Sequence, residues 1–392
     1  MTEQQAGRAS PVDLAGVSFP CSCGKQHSVG IQRILVGPGV AAHAAAFVAG
    51  QCVGKPVLVV SDNNTFAAQG RVVLEALGAA GVEALSWSYQ TTGFLVPDER
   101  AVGELLLATP PNAGLIVAVG SGTLNDLSRI ISARTGIPYL VVCTAPSVDG
   151  YTSTVSPLII GGQKTTLEAV YPRAIFADPE VLRSAPPLLL QAGFGDLLGK
   201  VTALSDWEFS RRLNGEYHCA TIEAMVRRAL DATIAGAPGV AARDPEAVTA
   251  LFDALVLSGL AMGMVGNSRP ASGAEHHLSH YWEMDALKNH EPHALHGNAV
   301  GSATVAVART YELMRDKLPS DFVVPDATAI RGWLISAGSA VTPADLGIPA
   351  ELFHRSILEA MHVRPRYTIL RFAADQGRLA SIADTLTTEF YG

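Results

Sequence analysis

The chain has 392 residues, of which 48% are hydrophobic and 16% are charged, and its formal net charge is −8. This length exceeds one ordinary hydrophobic core, so we expect two domains. An acidic chain with no basic stripe is not typical of nucleic-acid-binding proteins, and no apolar run approaches the ~18 residues that span a bilayer. The first residues lack the apolar core of a signal peptide. We therefore expect a cytoplasmic protein with no nucleic-acid partner and no membrane partner.

A short cysteine and histidine pattern lies near the start of the chain. Cys21, Cys23 and His27 have a spacing similar to that of a zinc knuckle. No fourth ligand follows nearby in the sequence, so we do not expect a structural metal there. The five cysteines are an odd number and are scattered along the chain, which argues against a disulfide framework.

Short buried strands alternate with helices in the first half of the chain. Apolar, β-branched runs that end in turn residues predict strands at residues 33–36, 56–60, 115–119 and 138–143. Helical segments are predicted between them, for example at residues 67–77 and 124–133. Continuous apolar strands separated by helices are typical of a parallel sheet that is covered on both faces.

Two features of this half indicate a dinucleotide site. The run Gly120-Ser121-Gly122-Thr123 lies between a predicted strand and a predicted helix, where glycines let the backbone approach a phosphate. Asp62 follows the strand at 56–60, where a carboxylate can bind an adenosine ribose and repel a 2′-phosphate. A helix N-cap is the alternative role for Asp62. Because the acid precedes the glycine loop, the order is not that of a Rossmann domain.

The pattern changes from about residue 178 onward. Long helical stretches dominate, at residues 199–211, 220–234 and 245–264, and Pro186-Pro187 marks the predicted junction. We therefore predict an α/β dinucleotide-binding domain over residues 1–185 and an all-α domain over residues 186–392.

Six of the chain's 11 histidines fall between residues 276 and 296. His276 and His280 are four residues apart, so a helix places them on one face. His296 precedes a glycine and suits a helix start directed at the same point. Two imidazoles and one carboxylate from elsewhere would form a metal site with an open position for substrate. A surface cluster or a set of buried structural histidines is the alternative.

Five motifs occur in one order along the chain. They are residues 120–126 (GSGTLND), 144–153 (TAPSVDGYTS), 193–200 (GFGDLLGK), 272–276 (SGAEH) and 295–297 (LHG). Together they resemble the sn-glycerol-1-phosphate dehydrogenases, particularly the bacterial AraM type. That family belongs to the group of dehydroquinate synthases and iron-containing or glycerol dehydrogenases. The similarity extends from about residue 21 to beyond residue 301.

The resemblance implies a dehydroquinate synthase-like fold, with the active site between the α/β domain and a helical domain that binds metal and substrate. It implies one divalent metal, either zinc, nickel or iron, bound by Asp196, His276 and His296. It also implies that His280 and Asp149 contact the substrate. The implied cofactor-binding residues are Asp62, Gly120, Ser121, Gly122, Thr123, Leu124, Thr144, Ser147 and Ser153.

Three residues near these motifs have a second interpretation. Asp196 lies between glycines in a predicted helix start, where an N-cap is the alternative to a metal ligand. His277 points about 100° away from His276 on a helix, so we expect it to be a packing or surface residue. Asn298 stands where relatives usually carry a glutamate, which removes a negative charge near the metal and points to a shifted substrate.

The implied reaction is reversible hydride transfer between a nicotinamide cofactor and dihydroxyacetone phosphate, which gives sn-glycerol 1-phosphate. We expect NAD(H) to be preferred over NADP(H), a small phosphorylated polyol or ketone as substrate, and a homo-oligomer. Candidate cations for the substrate phosphate are Lys164, Lys200, Arg269 and Lys288. The alternatives are a sugar phosphate cyclase, a dehydrogenase for another polyol or keto-phosphate, and a non-catalytic binding protein with the same fold.

Overall fold

The computed structural model describes residues 1–392. It contains a six-stranded parallel sheet and two antiparallel hairpins. The strands are β1 (Ser18–Pro20), β2 (Gln26–Ser28), β3 (Arg33–Val36), β4 (Val57–Asp62), β5 (Ala84–Tyr89), β6 (Leu115–Gly120), β7 (Tyr139–Cys143), β8 (Val155–Ile160), β9 (Gln163–Glu168) and β10 (Ala174–Ala177).

Nineteen α-helices accompany these strands, most of them after β10. They are α1 (Glu3–Ala6), α2 (Pro11–Leu14), α3 (Val40–Gln51), α4 (Asn63–Thr65), α5 (Arg71–Ala79), α6 (Glu99–Ala108), α7 (Gly122–Thr135), α8 (Pro179–Ser184), α9 (Pro187–Leu198), α10 (Lys200–Asn214), α11 (Ala220–Ala235), α12 (Ala237–Ala242), α13 (Pro245–Val265), α14 (Ala274–Asn289), α15 (His296–Leu313), α16 (Ala327–Ser336), α17 (Ala350–Glu359), α18 (Ile369–Asp375) and α19 (Leu379–Tyr391).

The main sheet has the strand order β3-β10-β7-β6-β4-β5, and every pair in it is parallel. Successive residues of β4 point to opposite faces. Val57 and Val59 pack with residues of α3 and α5, whereas Leu58 and Val60 pack with residues of α6 and α7. The sheet is therefore covered on both faces, which confirms the predicted α/β fold class.

The carboxyl ends of β4, β6 and β7 lie side by side, because these strands are parallel neighbours. Asp62 ends β4, Gly120 ends β6 and Cys143 ends β7. The backbone N–H of Thr144 donates to the carbonyl oxygen of Gly120 at 3.1 Å. The sheet thus brings the three predicted cofactor segments to one edge.

The chain is helical after β10, and its largest apolar core lies in this part. Helix α13 is long and apolar enough to cross a membrane by length and composition, but most of it is buried inside the protein. Its residues Leu251, Phe252 and Leu255 belong to the largest core. A buried core helix explains this apolar composition.

The first 28 residues pack on the helical part. Ala6, Leu14 and Phe19 belong to the same core as α13. The guanidinium of Arg228 in α11 donates to the carbonyl oxygens of Gly7 and Ala9. The chain therefore begins on the helical part before it enters the sheet at β3.

Candidate active site

The turn between β6 and α7 has the geometry of a phosphate-binding loop. Gly120 ends the strand and α7 begins at Gly122, so the first amides of the helix have no partner within it. A Cβ on Gly120 would overlap the side chain of Leu124, and one on Gly122 would lie 3.2 Å from Val148. Leu124 is buried beneath the turn. Glycine at positions 120 and 122 therefore fits this turn without a shift of the neighbouring side chains.

The loop after β7 lines the same turn. The hydroxyl of Ser121 contacts that of Ser147 and lies 2.8 Å from that of Tyr151. Thr144 and Ser147 are both buried, and Thr123 lies in the first turn of α7. The predicted cofactor residues of the two loops are thus together.

Two predicted cofactor residues lie outside this contact set. Ser153 precedes the β8–β9 hairpin, and its hydroxyl donates to the carbonyl oxygen of Val155 at 3.3 Å. Asp62 caps α4, because its Oδ1 accepts from the backbone N–H of Thr65 at 2.7 Å. Asp62 is therefore a helix N-cap, the alternative role expected for it. The residue is half-buried, and its Oδ2 makes no hydrogen bond to the protein.

Three predicted metal ligands converge in the helical part. Asp196, His276 and His296 each offer one ligand atom, and these atoms all lie within 4.8 Å of one another. The His276 Nε2 lies 3.7 Å from the Asp196 Oδ1, and the rings of His276 and His296 have centroids 5.2 Å apart. The structure thus brings the predicted carboxylate and the two imidazoles together.

Close helix packing places Asp196 and His296. A Cβ on Gly195 in α9 would overlap the carbonyl oxygen of Gly297, and one on Gly297 would overlap that of Ala192. The glycines beside the two ligands therefore let the backbones of α9 and α15 touch. His296 begins α15 as predicted, but the predicted helix start at Asp196 is wrong. Asp196 lies in the last turn of α9, which also excludes the N-cap role.

The donor set fits a divalent metal. The Nδ1 of His276 hydrogen-bonds the Glu275 Oε1 at 2.8 Å, which leaves the Nε2 facing Asp196. The Nδ1 of His296 is buried and has no hydrogen-bond partner. Bonds of ~2.0–2.2 Å to one ion would place neighbouring N and O ligands about 3.3–3.6 Å apart, close to the observed spacing.

A buried lysine links two carboxylates behind this set. The Lys200 Nζ lies 2.7 Å from the Asp196 Oδ1 and 2.8 Å from the Asp149 Oδ2. Burial alone would raise the pKa of Asp196, but the charge of Lys200 and the hydrogen bond from His276 hold that pKa well below its ordinary value. Burial and the neighbouring Asp196 raise the pKa of Asp149. Asp149, Asp196 and Lys200 together carry a net charge of −1, which favours the binding of a divalent cation.

His280 lies beside His296 and between two cations. The two rings stack with centroids 5.2 Å apart. The Nδ1 of His280 lies 3.3 Å from the Lys164 Nζ, and its Nε2 lies 3.2 Å from the Arg364 Nη2. Burial and the charge of Lys164 hold the pKa of His280 well below its ordinary value. This histidine is therefore neutral at physiological pH.

A second group of possible ligands shares His296. The ligand atoms of His280, Glu283 and His296 also lie within 4.8 Å of one another. However, the carboxylate of Glu283 pairs with the Lys164 Nζ at 2.5 Å, and the two cations beside His280 would repel a metal ion. The charges therefore favour the set that contains Asp196.

The four cations predicted to bind a substrate phosphate lie in different surroundings. Lys164 lies in the site, and Lys200 is buried between its two carboxylates. Arg269 is held by Glu216 through its Nε at 2.7 Å, and Lys288 is exposed near the end of α14. Of these four, Lys164 is the one that lies beside His280, where its Nζ also pairs with the Glu283 carboxylate at 2.5 Å.

His277 and Asn298 are both buried. Neither ring nitrogen of His277 has a hydrogen-bond partner, and burial lowers the pKa of this histidine to about 3. The Oδ1 of Asn298 is also without a partner. His277 is therefore a packing residue, one of the two roles expected for it.

Sequence reasoning missed three residues of the site. Glu275 orients His276, and it was visible as the residue before the first histidine of the cluster. Glu283 is three residues after His280, a helical spacing that places both on one face. Arg364 lies 84 residues from His280, and nothing in its local sequence indicates the contact.

Comparisons with known proteins show the family of this chain. A family model described as iron-containing alcohol dehydrogenase matches residues 35–186. The glycerol-1-phosphate dehydrogenase (NAD(P)+) of Bacillus velezensis is 35% identical over 388 residues, which cover 95% of this chain and 98% of that protein. The protein of the same name from Geobacillus stearothermophilus is 34% identical, with 92% of this chain and 96% of its own covered.

Solved structures show the same fold. The glycerol dehydrogenase of Schizosaccharomyces pombe matches with a TM-score of 0.68 and 20% identity, and 92% of each chain is covered. The sulfoacetaldehyde reductase of Bifidobacterium kashiwanohense, solved in complex with NAD+, matches with a TM-score of 0.66 and 19% identity. That match covers 92% of this chain and 98% of the reductase.

Proposed function

This chain belongs to the glycerol-1-phosphate dehydrogenase family, and on that premise we propose that it interconverts dihydroxyacetone phosphate and sn-glycerol 1-phosphate by hydride transfer. The observation that carries the proposal is the convergence of Asp196, His276 and His296 beside the cation-flanked His280. When bound, a divalent metal on the first three residues would polarise the substrate carbonyl, and a nicotinamide cofactor would supply the hydride.

The sheet edge binds the cofactor in this proposal. The amides at the start of α7 would receive the pyrophosphate, because an unpaired helix N-terminus favours an anion. The free oxygen of Asp62 would accept a ribose hydroxyl, so NAD(H) would be preferred over NADP(H). In this proposal the cofactor binds to the α/β domain predicted over residues 1–185, and the metal binds to the helical domain predicted over residues 186–392. The enzyme would be cytoplasmic.

His280 handles the proton in this proposal. A neutral imidazole has one acceptor nitrogen, so only one of Lys164 and Arg364 can donate to it at a time. If Arg364 moves to the substrate phosphate, the Nε2–H can pass its proton to the substrate oxygen while the Nδ1 accepts a proton from Lys164, so the ring stays neutral. Asp149 and Lys200 hold Asp196 in place behind the metal ligands.

Lys164 and Arg364 would also bind the substrate phosphate. Both are half-buried and contact the two nitrogens of His280, and although Glu283 pairs with Lys164, Arg364 has no carboxylate partner and favours a charged phosphate over a neutral group. The Arg364 guanidinium makes only a 3.4 Å hydrogen bond to Ser268 besides its contact with His280. Its donors are therefore available to a ligand.

Kinetics with paired substrates test this proposal. Arg364→Ala should raise the KM for dihydroxyacetone phosphate by about tenfold or more, the cost of a lost hydrogen bond to a charged group. The same change should have little effect on dihydroxyacetone, which has no phosphate. Lys288→Ala removes an exposed cation and serves as the matched control. An equal loss on both substrates would contradict the phosphate role.

The cyclase alternative predicts a different stoichiometry. A cyclase would release inorganic phosphate without net oxidation of NADH, whereas a dehydrogenase consumes one NADH for each ketone reduced. A panel of dihydroxyacetone phosphate, dihydroxyacetone and larger keto-phosphates, each with NADH and with NADPH, separates the two. Phosphate release at constant NADH would overturn the proposed function.

A further inference from the structure

Four sulfur and nitrogen ligands meet outside the active site. The side chains of Cys21, Cys23, His27 and Cys219 each offer one ligand atom, and these atoms all lie within 4.8 Å of one another. The first three come from the β1–β2 hairpin and its turn, and Cys219 immediately precedes α11. The fourth ligand, absent from the nearby sequence, therefore comes from a residue 192 positions after His27.

The spacing of these atoms matches a tetrahedral metal. The Cys21 and Cys219 sulfurs are 3.6 Å apart, and the His27 Nε2 lies 3.3 Å from the Cys23 sulfur and 3.5 Å from that of Cys219. Zinc bonds of ~2.3 Å to sulfur and ~2.0–2.1 Å to nitrogen place tetrahedral ligands about 3.5–3.8 Å apart. A disulfide would need sulfurs about 2.05 Å apart, and all five cysteines are free.

The surroundings prepare His27 and Cys23 as ligands. The Nδ1 of His27 lies 2.8 Å from the Met264 carbonyl oxygen, which makes it the protonated nitrogen and leaves the Nε2 lone pair toward the thiols. The hydroxyl of Tyr217 lies 3.2 Å from the Cys23 sulfur and can donate to a thiolate. In the metal-free form the Cys21 thiol can donate to the Glu3 Oε1 at 3.3 Å, and one of the Cys23 and Cys219 thiols can donate to His27.

One charged side chain of each sign lies near these four ligands. The Glu3 Oε1 lies 3.3 Å from the Cys21 sulfur, and the Lys25 Nζ lies 3.7 Å from the centre of the Tyr217 ring, whose hydroxyl contacts Cys23. The same Nζ donates to the carbonyl oxygen of Val265 at 3.3 Å. His27 and Cys219 are fully buried, which protects the site from solvent.

We propose that Cys21, Cys23, His27 and Cys219 bind a structural zinc ion, separate from the metal site of Asp196, His276 and His296. Three cysteines and one histidine are a typical zinc set, and they leave no open position for a substrate. The ion clamps the β1–β2 hairpin to the start of α11. Since the hairpin leads directly into β3, the clamp also fixes the edge of the main sheet to the helical part.

Metal analysis of purified variants tests the clamp. Cys219→Ser should lower the zinc content by one equivalent per chain, whereas His276→Ala should lose the active-site metal and keep the zinc of the cysteine cluster. Cys52→Ser is the matched control, because Cys52 is a buried free cysteine outside the cluster. Equal zinc contents in Cys219→Ser and Cys52→Ser would overturn the proposal.

A second measurement on the wild-type protein remains decisive if Cys219→Ser does not fold. Titration with a mercurial thiol reagent and a zinc-sensitive dye should release one zinc as the three cluster thiols are modified. Modification of these thiols without any zinc release would overturn the proposal. A native mass two hydrogens lower than that of the reduced chain would also overturn it, because that mass indicates a disulfide.

Discussion

The proposed metal ligand His276 and the proposed proton-handling residue His280 lie one turn apart on α14, yet they should respond differently to alanine substitution. His276→Ala and His296→Ala should each lose the active-site metal and all activity, because each removes a ligand atom. His280→Ala should retain that metal and lose about 10²–10⁴-fold in turnover, the usual contribution of a positioned acid or base. Metal content and kcat of the three purified variants check this. Loss of metal from His280→Ala to the same extent as from His276→Ala would make His280 a ligand.

We expect the cofactor preference to depend on Asp62. A 2′-phosphate beside this carboxylate would cost on the order of 1–3 kcal/mol, or roughly tenfold to a hundredfold in affinity. Asp62→Ser should therefore narrow the ratio of kcat/KM between NADH and NADPH, while serine can still cap α4. An unchanged ratio would leave Asp62 with its capping role alone.

The local pattern of the sequence predicted the histidines of the site, whereas two residues that act through long-range contacts could not be predicted from it. The spacing of His276 and His280 and the glycine after His296 follow from helix geometry. Arg364 and Cys219 reach their partners only through the folding of distant segments. No local pattern carries that information.

Among the helices, α9 and α15 pack so closely that replacing a glycine at their contact with a larger residue should destabilise the protein. Gly297→Ala would force the two helices apart, because its Cβ would overlap the Ala192 carbonyl oxygen. We expect a loss of about 1–3 kcal/mol in the free energy of unfolding, together with weaker metal binding. Gly332→Ala in the exposed face of α16 is the control, since nothing lies within 4 Å of its added Cβ.

Denaturant unfolding with metal analysis measures both effects. Gly332→Ala should be neutral or stabilising by about 0.5–1 kcal/mol, because alanine favours a helix interior. Equal stabilities of the two glycine variants would contradict the proposed positioning of the ligands by helix contact.

The predicted strands and helices agree with the structure where the apolar pattern is continuous. The strand at 33–36 and the helix at 245–264 match β3 and α13 closely. No strand is predicted at β5, which lies at the edge of the sheet and in which polar and apolar residues largely alternate. Only the sheet order, a tertiary property, shows which carboxyl ends are adjacent.

In the whole molecule, the proposed cofactor site and the proposed metal site lie in different parts of the chain. The loop at Gly120 and the cap at Asp62 belong to the sheet, whereas the metal ligands belong to α9, α14 and α15. His276→Ala should therefore still bind NADH with an affinity close to that of the wild type, as measured by fluorescence titration. A complete loss of NADH binding would show that the two sites are one unit.

We propose that the chain reduces dihydroxyacetone phosphate to one enantiomer of glycerol phosphate. The most direct test incubates the metal-loaded enzyme with this ketone and NADH, then measures NADH consumed, phosphate released and product chirality. We predict one NADH oxidised per sn-glycerol 1-phosphate formed, with no free phosphate. Formation of the 3-phosphate enantiomer, or phosphate release without NADH oxidation, would contradict the proposed reaction.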